Sequence, residues 1–325
     1  MAAPEPMPTM RQVNLDDAEL VADLFSARTP DDPRDGAMLA FFWTSHSAGE
    51  NWQRLIAVES GVAIAFIAAG HDAWQEGSHR FGNVRPALHP TRWSAEAYLT
   101  LTGTGESWLH GEGAQTTVAR LREDLDHELA ALDGAGYKEV RRTRVWRLDL
   151  ERGRDRLLGA AEKSRAEMQR QGVRLLTLEN DPDPDVLRKL YVVDLEATSD
   201  IPTTVPIPVP TFDDWRRHWF EDPGHRRDRI WIAREGDTLL GLSAIGYPPR
   251  RGVPWTSFTG TSRKARGRGI ARALKYETIA QAIALGAQRI ETSNDAANAP
   301  ILHLNEEIGY EPATPVIELH RNLVE

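Results

Sequence analysis

An internal repeat is the feature that most constrains how this chain can fold. Residues 54–70 (RLIAVESGVAIAFIAAG) and residues 229–246 (RIWIAREGDTLLGLSAIG) share one pattern: Ile-Ala-x-Glu, a turn with glycine, and an apolar run that ends in glycine. Two β-rich runs joined by such a turn predict a β-hairpin in each segment. Pairing Ile56 with Ile232 gives an offset of 176 positions between the two hairpins.

A second pair of segments repeats at almost the same offset. Residues 129–150 and 301–323 each carry a helical pattern, a Gly-Tyr pair and a strand pattern, and aligning Gly136 with Gly309 gives an offset of 173 positions. Two matches at nearly one offset indicate two copies of one fold, and 325 residues suit two domains of ordinary size. We divide the chain into a first domain at 1–150, a helical linker at 151–171 and a second domain at 172–325.

The periodicity of the second copy predicts a mixed fold. A strand and two helices are followed by three strands, a long helix, a strand, a helix and a last strand. The proline-rich stretch at 201–210 is excluded from regular structure because proline fixes φ and lacks an N–H donor. The fold class is therefore α/β, mixed and close to α+β, with a mostly antiparallel sheet and helices on both faces in each copy. The linker at 151–171 also fits the first helix of the second copy.

A basic, glycine-containing stretch, RKARGRGIA, begins at Arg263, where a predicted strand ends and a predicted helix begins. Unpaired N–H groups and the positive end of the helix dipole favour an anion there. Gly267 and Gly269 let the backbone curl close to a ligand. Arg263, Arg266 and Arg268 add charge for phosphate oxygens. These features favour a pyrophosphate site; the alternative is a basic face exposed to solvent.

Two common phosphate motifs do not match this stretch. No Gly-Lys-Ser/Thr follows, and Arg272 stands at the third glycine position of a dinucleotide motif. With its surroundings, however, the second copy resembles the GNAT superfamily of acyl-CoA-dependent N-acyltransferases over residues 172–323. The Gln/Arg-x-x-Gly-x-Gly/Ala signature of that family is matched by Arg266, Gly269 and Ala271. Its downstream asparagine motif is matched by Asn294, Asn298 and NEEIGY at 305–310.

The resemblance implies a role for each of these positions. Backbone amides from Arg266 to Ala271 would hold the pyrophosphate of coenzyme A, and the strand end at Thr259–Thr261 would pair with the pantetheine arm and polarise the thioester carbonyl. An amine would then attack the thioester directly within a ternary complex. Acetyl-CoA is the expected co-substrate, and no metal is expected. The residues expected to bind it are Thr259, Gly260, Thr261, Arg263, Arg266, Gly267, Arg268, Gly269, Ile270, Ala271, Asn294 and Asn298.

The catalytic acid and base are where this sequence departs from the family. Many members place a tyrosine acid at the position of Asn305, whose amide cannot donate a proton usefully. The thiolate then leaves unprotonated, or water or His303 protonates it. For the base that takes a proton from the amine, Glu196 and Asp200 at the end of a helix are candidates, with Glu291 as a third. Asp200 has an alternative role in binding the ammonium group of the substrate.

The first copy has lost the features of the phosphate loop. At an offset of 174 the loop falls on RWSAEA, from Arg92 to Ala97, where Ala95 replaces the central glycine and Glu96 repels a pyrophosphate. We expect this copy not to bind coenzyme A, and we expect the nearby TGTGES at 102–107 to be a break or loop. A tandem of one degenerate and one competent copy resembles mycothiol synthase and related actinobacterial enzymes. The first copy would then be a scaffold and one wall of the acceptor site.

Composition limits the partners. The chain has a net charge of -9, which argues against general nucleic-acid binding, and it has no cysteine. Neither a signal peptide nor a run of 18 apolar residues is visible, so a cytoplasmic protein without membrane contact is expected. Arginine far outnumbers lysine and alanine is abundant, which indicates a bacterial source with a GC-rich genome. A small-molecule amine is the expected acceptor, and the tandem favours a monomer, with the oligomeric state left open.

Two other functions stay open at this point. One is a GNAT-fold aminoacyltransferase that takes its donor from tRNA, for which arginine-rich segments such as 216–229 would form a basic face. The other is a non-catalytic pseudo-enzyme that binds acyl-CoA, favoured by Asn305 in place of tyrosine.

Overall fold

The computed structural model describes residues 9–46, 49–74, 76–205 and 207–324. Its internal contacts divide the chain into two units, each treated separately below. The first unit comprises the described residues of Met1–Thr143, Thr204–Pro208 and Thr314–Glu325, and the second comprises Arg144–Thr203 and Val209–Ala313.

The first unit is a mixed sheet with helices on both faces. Its strands are β1 (Arg11–Gln12), β2 (Asn51–Glu59), β3 (Val62–His71), β4 (Phe81–Leu88), β5 (Thr116–Arg122), the start of β6 (Lys138–Asp149), and most of the chain's last strand, β12 (Glu311–Asn322). Its helices are α1 (Ala18–Arg28), α2 (Gly36–Thr44), α3 (Ala95–Glu112) and α4 (Asp126–Gly134). Within the unit the sheet runs β1-β2-β3-β4-β5-β12-β6, with β4 and β5 parallel and the other pairings from β1 to β12 antiparallel.

The second unit repeats this arrangement. Its strands are the end of β6, β7 (Arg174–Thr177), β8 (Ile230–Glu235), β9 (Thr238–Gly246), β10 (Trp255–Thr261) and β11 (Arg289–Asp295). Its helices are α5 (Arg154–Arg170), α6 (Val186–Thr198), α7 (Phe212–Phe220), α8 (Ile270–Ala284) and α9 (Ala299–Ile308). The sheet runs β7-β8-β9-β10-β11-β6, with β10 and β11 parallel.

The order of elements confirms the repeat expected from sequence. The two hairpins at 54–70 and 229–246 are β2–β3 and β8–β9, and each follows two helices and precedes a strand and a long helix. The fold class expected from the sequence is also confirmed, because apolar side chains cover both faces of each sheet. On one face of the first sheet, Ile67 packs with Tyr98 and Leu101 of α3; on the other, Phe66 packs with Leu24 of α1.

The boundaries of the two structural units differ from those of the three segments proposed from the sequence. Helix α5, within the segment assigned as a linker, belongs to the second unit. Its Leu157 and Ala161 are buried against Ile279 of α8, so this helix contributes to the core of that unit.

The expectation of a break at 102–107 is wrong. Helix α3 runs through that segment without interruption, and its N-terminus is capped by Ser94, whose hydroxyl accepts a hydrogen bond from the Ala97 N–H at 3.1 Å. A side chain at Gly105 would bring a Cβ within 2.9 Å of Val84 on the sheet. The glycine therefore lets the helix approach the sheet, and this packing outweighs the weak helical propensity of glycine.

The helices in the described ranges are all too short or too polar to cross a lipid bilayer.

Candidate functional site

Strands β10 and β11 of the second unit separate soon after they begin. Their one parallel pair joins Trp255 to Glu291, and the Glu291 N–H donates to the carbonyl of Pro254 at 3.0 Å. On its other edge β10 stays paired to β9 as far as Thr261, across an irregularity between Thr256 and Phe258. Among the described residues, β11 therefore does not pair with β10 at Thr259–Thr261, where the sequence predicts contacts to a pantetheine arm.

Helix α8 follows β10 after a loop at 262–269 that contains a 3-10 turn at Arg263–Ala265, and the first turn of the helix has no side-chain cap. Gly269 is the residue before the helix and has φ of +79°, while Gly267 has φ of +76°. Both conformations favour glycine, and nothing lies within 4 Å of the position that a Cβ on Gly267 would occupy. The N–H groups of Ile270 and Ala271 begin this uncapped helix, so its N-terminus retains the donors and the dipole that attract an anion.

The two candidate bases lie against this loop. Oε1 of Glu196 accepts a hydrogen bond from the backbone N–H of Arg263 at 2.7 Å. The guanidinium of Arg263 donates to both carboxylate oxygens of Asp200, at 3.2 and 2.6 Å, and Arg266 donates to the same carboxylate. These hydrogen bonds hold the pKa of Asp200 at about 2, so it is ionised and bound to arginine, and both acids shape the loop.

The remaining predicted loop and strand residues have other contacts. Arg268 donates to the carboxylate of Glu235 at 2.8 Å, and Asn298 is the residue before α9 and makes no side-chain cap there. Gly260 lies under α6, where a Cβ would approach that of Ala197 to 2.6 Å. Glu291, the third candidate base, accepts a hydrogen bond from Arg147 at 2.8 Å.

A buried polar cluster surrounds Asn305. This side chain is fully buried, accepts a hydrogen bond from Lys275 Nζ, and donates one to Oδ1 of Asn294 at 2.7 Å. Lys275 is itself 1% exposed, and its Nζ lies 4.7 Å from the ring centroid of Tyr310. Among the described residues it contacts no carboxylate, and burial lowers its pKa to about 7. Asn305 and Asn294 are thus brought together, with a buried amine beside them that sequence reasoning missed.

Two more buried ionisable groups of the second unit were missed. Asp194 on α6 accepts a hydrogen bond from Trp215 Nε1 at 2.8 Å, and burial raises its pKa to about 6. The ring of His225 stacks on Trp219, with Nδ1 at 3.4 Å from Asp222. Trp215 and Trp219 themselves lie in the hydrophobic core of this unit. No sequence signal distinguished Lys275, Asp194 or His225 from surface residues.

The corresponding region of the first unit is built differently. Its parallel strands β4 and β5 pair from Phe81 with Thr116 to Val84 with Ala119, a longer stretch than in the second unit. The Ser94 hydroxyl occupies the N-terminus of α3 that a pyrophosphate would need. Both differences agree with the expectation that this copy does not bind coenzyme A, which stays a prediction.

Among the described residues, no cluster of histidine, aspartate or glutamate side chains has the arrangement of a metal site.

Comparisons with known proteins bear on both units. Residues 187–310 match the family model described as Acetyltransferase (GNAT) family. No curated protein is significantly similar in sequence. A tandem GNAT protein from the clavulanic acid biosynthesis pathway is 15% identical, with a TM-score of 0.73 over 98% of this chain and 99% of that one.

Two further solved structures share the fold. A GCN5-related N-acetyltransferase from Sphaerobacter thermophilus is 20% identical, with a TM-score of 0.66 over 98% of this chain and 96% of that one. FemX is 10% identical, with a TM-score of 0.61 and 97% of each chain covered. At these identities the likeness shows the fold alone, and the resemblance to mycothiol synthase stays a prediction. Residues 187–310 are thus similar to the GNAT acetyltransferase family, and the fold of the whole chain is similar to that of a tandem GNAT protein.

Proposed function

We propose that this protein transfers an acetyl or other acyl group from coenzyme A to the primary amine of a small molecule, by direct attack in a ternary complex. The observation that carries the proposal is that β10 separates from β11 and then leads, through the loop at 262–269, to the uncapped N-terminus of α8. An extended arm that ends in a pyrophosphate fits such an arrangement, because the unpaired strand edge offers hydrogen bonds and the helix N-terminus offers N–H donors to an anion.

The residues present fit coenzyme A. Gly267 and Gly269 leave the backbone of the loop open, and Arg263 and Arg266 place guanidinium donors beside it. Coenzyme A would supply a thioester whose acyl carbon accepts the amine. A backbone N–H at Thr259–Thr261 would stabilise negative charge on the thioester oxygen, a contribution of about 3–4 kcal/mol for one preorganised donor.

Glu196 remains our proposed base for the attacking amine. One of its carboxylate oxygens accepts the Arg263 N–H, and no described residue hydrogen-bonds the other, which is free to take a proton directly or through water. The carboxylate of Asp200 binds Arg263 and Arg266. We therefore propose that Asp200 orients these two arginines rather than binding the ammonium group of the substrate.

Asn305 cannot act as the acid that a tyrosine would be. We propose that it positions Asn294 beneath the opening and that the leaving thiolate takes its proton from water. Lys275 would stabilise that thiolate from below, since its ammonium has no carboxylate partner among the described residues.

Aminoacyl transfer from tRNA is the second candidate, and the fold shared with FemX is the observation in its favour. Among the arginines proposed for a basic face, Arg216, Arg217 and Arg226 have acidic partners, however. Arg226 pairs with Asp228 at 2.8 Å and Arg217 with Asp214 at 3.1 Å. We therefore propose a small-molecule amine as the partner.

The test is calorimetric titration of the full chain with acetyl-CoA, followed by turnover with a panel of amines. We expect about one site per chain, weakened at least about tenfold by Gly269→Glu. The matched control is Gly286→Glu, which introduces the same charge and the same strain, at φ of +82°, at the other end of α8. Binding without turnover of any amine would favour a pseudo-enzyme, and absence of binding would favour an aminoacyl-tRNA donor.

A further inference from the structure

Three arginines lie side by side across the sheet of the first unit. Arg54 on β2 stands opposite Ala68, and Ala68 stands opposite Arg85 on β4. The parallel register of β4 and β5 ends at Val84 with Ala119, so that Arg85 and Arg120 come next on neighbouring strands. Side chains in one cross-strand row project from the same face, here the face covered in part by α1 and α2.

Only one of the three arginines has an acidic partner. Arg120 donates to Glu318 at 2.7 Å and to Asn83 at 2.7 Å. Within the described ranges, neither Arg54 nor Arg85 has a carboxylate within ion-pair distance. Two acids, Glu50 and Asp72, lie close enough to favour the charged arginines without contacting them.

The two unpaired guanidiniums share one aromatic surface. The guanidinium carbons of Arg54 and Arg85 lie 5.1 and 5.4 Å from the ring of Trp52. Trp52 lies flat across Gly70, where a Cβ would come within 2.1 Å of the indole. Gly70 therefore allows the ring to form a floor against the sheet, and cation–π contacts hold both arginines over it.

This arrangement is electrostatically costly without an anion. Burial and the neighbouring charge of Arg85 lower the pKa of Arg54 to about 10. Burial and the charges of Arg120 and Arg34 also lower the pKa of Arg85, although water still reaches its side chain. Arg85 is exposed and Arg54 is half-buried, so a solute can reach both guanidiniums. The two like charges repel each other, and an anion would remove that cost.

We propose that Arg54 and Arg85, over the floor formed by Trp52, are a binding site for the carboxylate or phosphate group of a small molecule. Arginine suits both groups, because its planar fork donates two parallel hydrogen bonds to either of them. The site belongs to the unit that lacks the phosphate loop, and it gives that unit a binding role beyond the proposed acyl transfer. The flat indole beside the guanidiniums would favour a ligand with an apolar or aromatic body.

The test is calorimetric titration of the full chain with sodium phosphate and, separately, with sodium succinate, at constant ionic strength. We expect one site for at least one of the two anions, weakened at least about tenfold by Arg85→Met and by Arg54→Met. The stronger of the two probes identifies the ligand as a phosphate or a carboxylate. The matched control is Arg142→Met, which removes an arginine of the same unit that is paired with Glu139 and Glu123.

Thermal unfolding is a second test, in which Arg85→Met should have opposite effects on stability without and with the anion. In sodium chloride alone, Arg85→Met should raise the unfolding midpoint of the transition that contains the first unit, because it removes a repelling charge. The same variant should lose the stabilisation that the anion gives the unsubstituted chain. The proposal is overturned if neither anion binds, if Arg85→Met binds as tightly as the unsubstituted chain, or if Arg142→Met or Arg266→Met weakens binding equally.

Discussion

At the scale of single residues, the most unusual feature of the second unit is the buried amine of Lys275. Its partners are the Asn305 amide and the face of Tyr310, neither of which carries a full negative charge. Asn305 departs visibly from the family pattern, but nothing in the sequence distinguishes Lys275 from the lysines that lie on protein surfaces. Only the packing of α8 on the sheet shows that it is buried, and such tertiary contacts are not encoded in local spacing.

Lys275→Met should stabilise the chain most at low pH. The folded-state pKa of about 7 lies below the ordinary value of 10.5, so the unfolded chain binds more protons between these values. Stability should therefore rise with pH from about 7 to about 10.5 and be lowest below 7, by a few kcal/mol. Urea unfolding at pH 6 and pH 9 measures this. The substitution should flatten the dependence, whereas Lys163→Met on the exposed face of α5 should leave it unchanged.

Substitutions of the two acids at the end of α6 should affect different quantities, kcat for Glu196 and the affinity for acetyl-CoA for Asp200. Glu196→Gln should lower kcat by at least about a hundredfold if Glu196 is the base. Asp200→Asn should instead change the affinity for acetyl-CoA, raising it a few-fold, because the carboxylate occupies Arg263 and Arg266. Titration and steady-state rates for both variants measure this. A loss of affinity with unchanged kcat in Glu196→Gln would show that Glu196 only shapes the loop.

At the scale of elements, the starts of α3 and α8 explain how two copies of one fold can differ in ligand binding. The strand-to-helix junctions predicted at RKARGRGIA and RWSAEA lie at the starts of α8 and α3. The loss of the glycines in the first copy can be read directly from the sequence. The Ser94 cap does not follow from the sequence spacing, and TGTGES is helical although the local propensity of glycine predicts a break. The sequence places Glu196 and Asp200 at the end of α6, but their contacts with Arg263 join residues more than 60 positions apart.

Ser94→Ala should cost about 1 kcal/mol of stability, because the N–H of Ala97 loses its hydrogen-bond acceptor. Chemical unfolding of the full chain measures the loss. Ser107→Ala is the control within the same helix, since that exposed hydroxyl only donates to the Gly103 carbonyl at 2.8 Å. Equal effects from the two substitutions would contradict the capping role. Neither variant should gain a second acetyl-CoA site, because the loop still lacks its glycines.

At the scale of the whole molecule, the two units do not correspond to two continuous halves of the chain. The last strand, β12, pairs with β5 of the first unit from Val316 to Asn322. Its Ile317 and Leu319 are buried in the core of that unit, and Arg321 binds Glu106 at 2.8 Å. Sequence repeats predict the number of copies and their order, but they do not show which sheet receives the final strand.

Truncation after Ala313 should therefore destabilise the first unit, although the removed residues are farthest from it in sequence. Each of the two lost core side chains is worth about 2–5 kcal/mol, comparable with the whole stability of a domain. Circular dichroism and limited proteolysis of the truncated chain measure this. Cleavage confined to Arg144–Ala313 would contradict the expectation, whereas new cleavage within the strands β2 to β5 would support it.

The placement of β12 also has a consequence for biosynthesis. A ribosome makes most of the first unit before the second, yet the sheet of the first unit cannot be completed until β12 has been translated. During that interval the edge of β5 stays without the partner that it has in the finished protein, and exposed strand edges recruit other chains. Newly made chains should consequently depend on chaperones for as long as translation of the second unit takes.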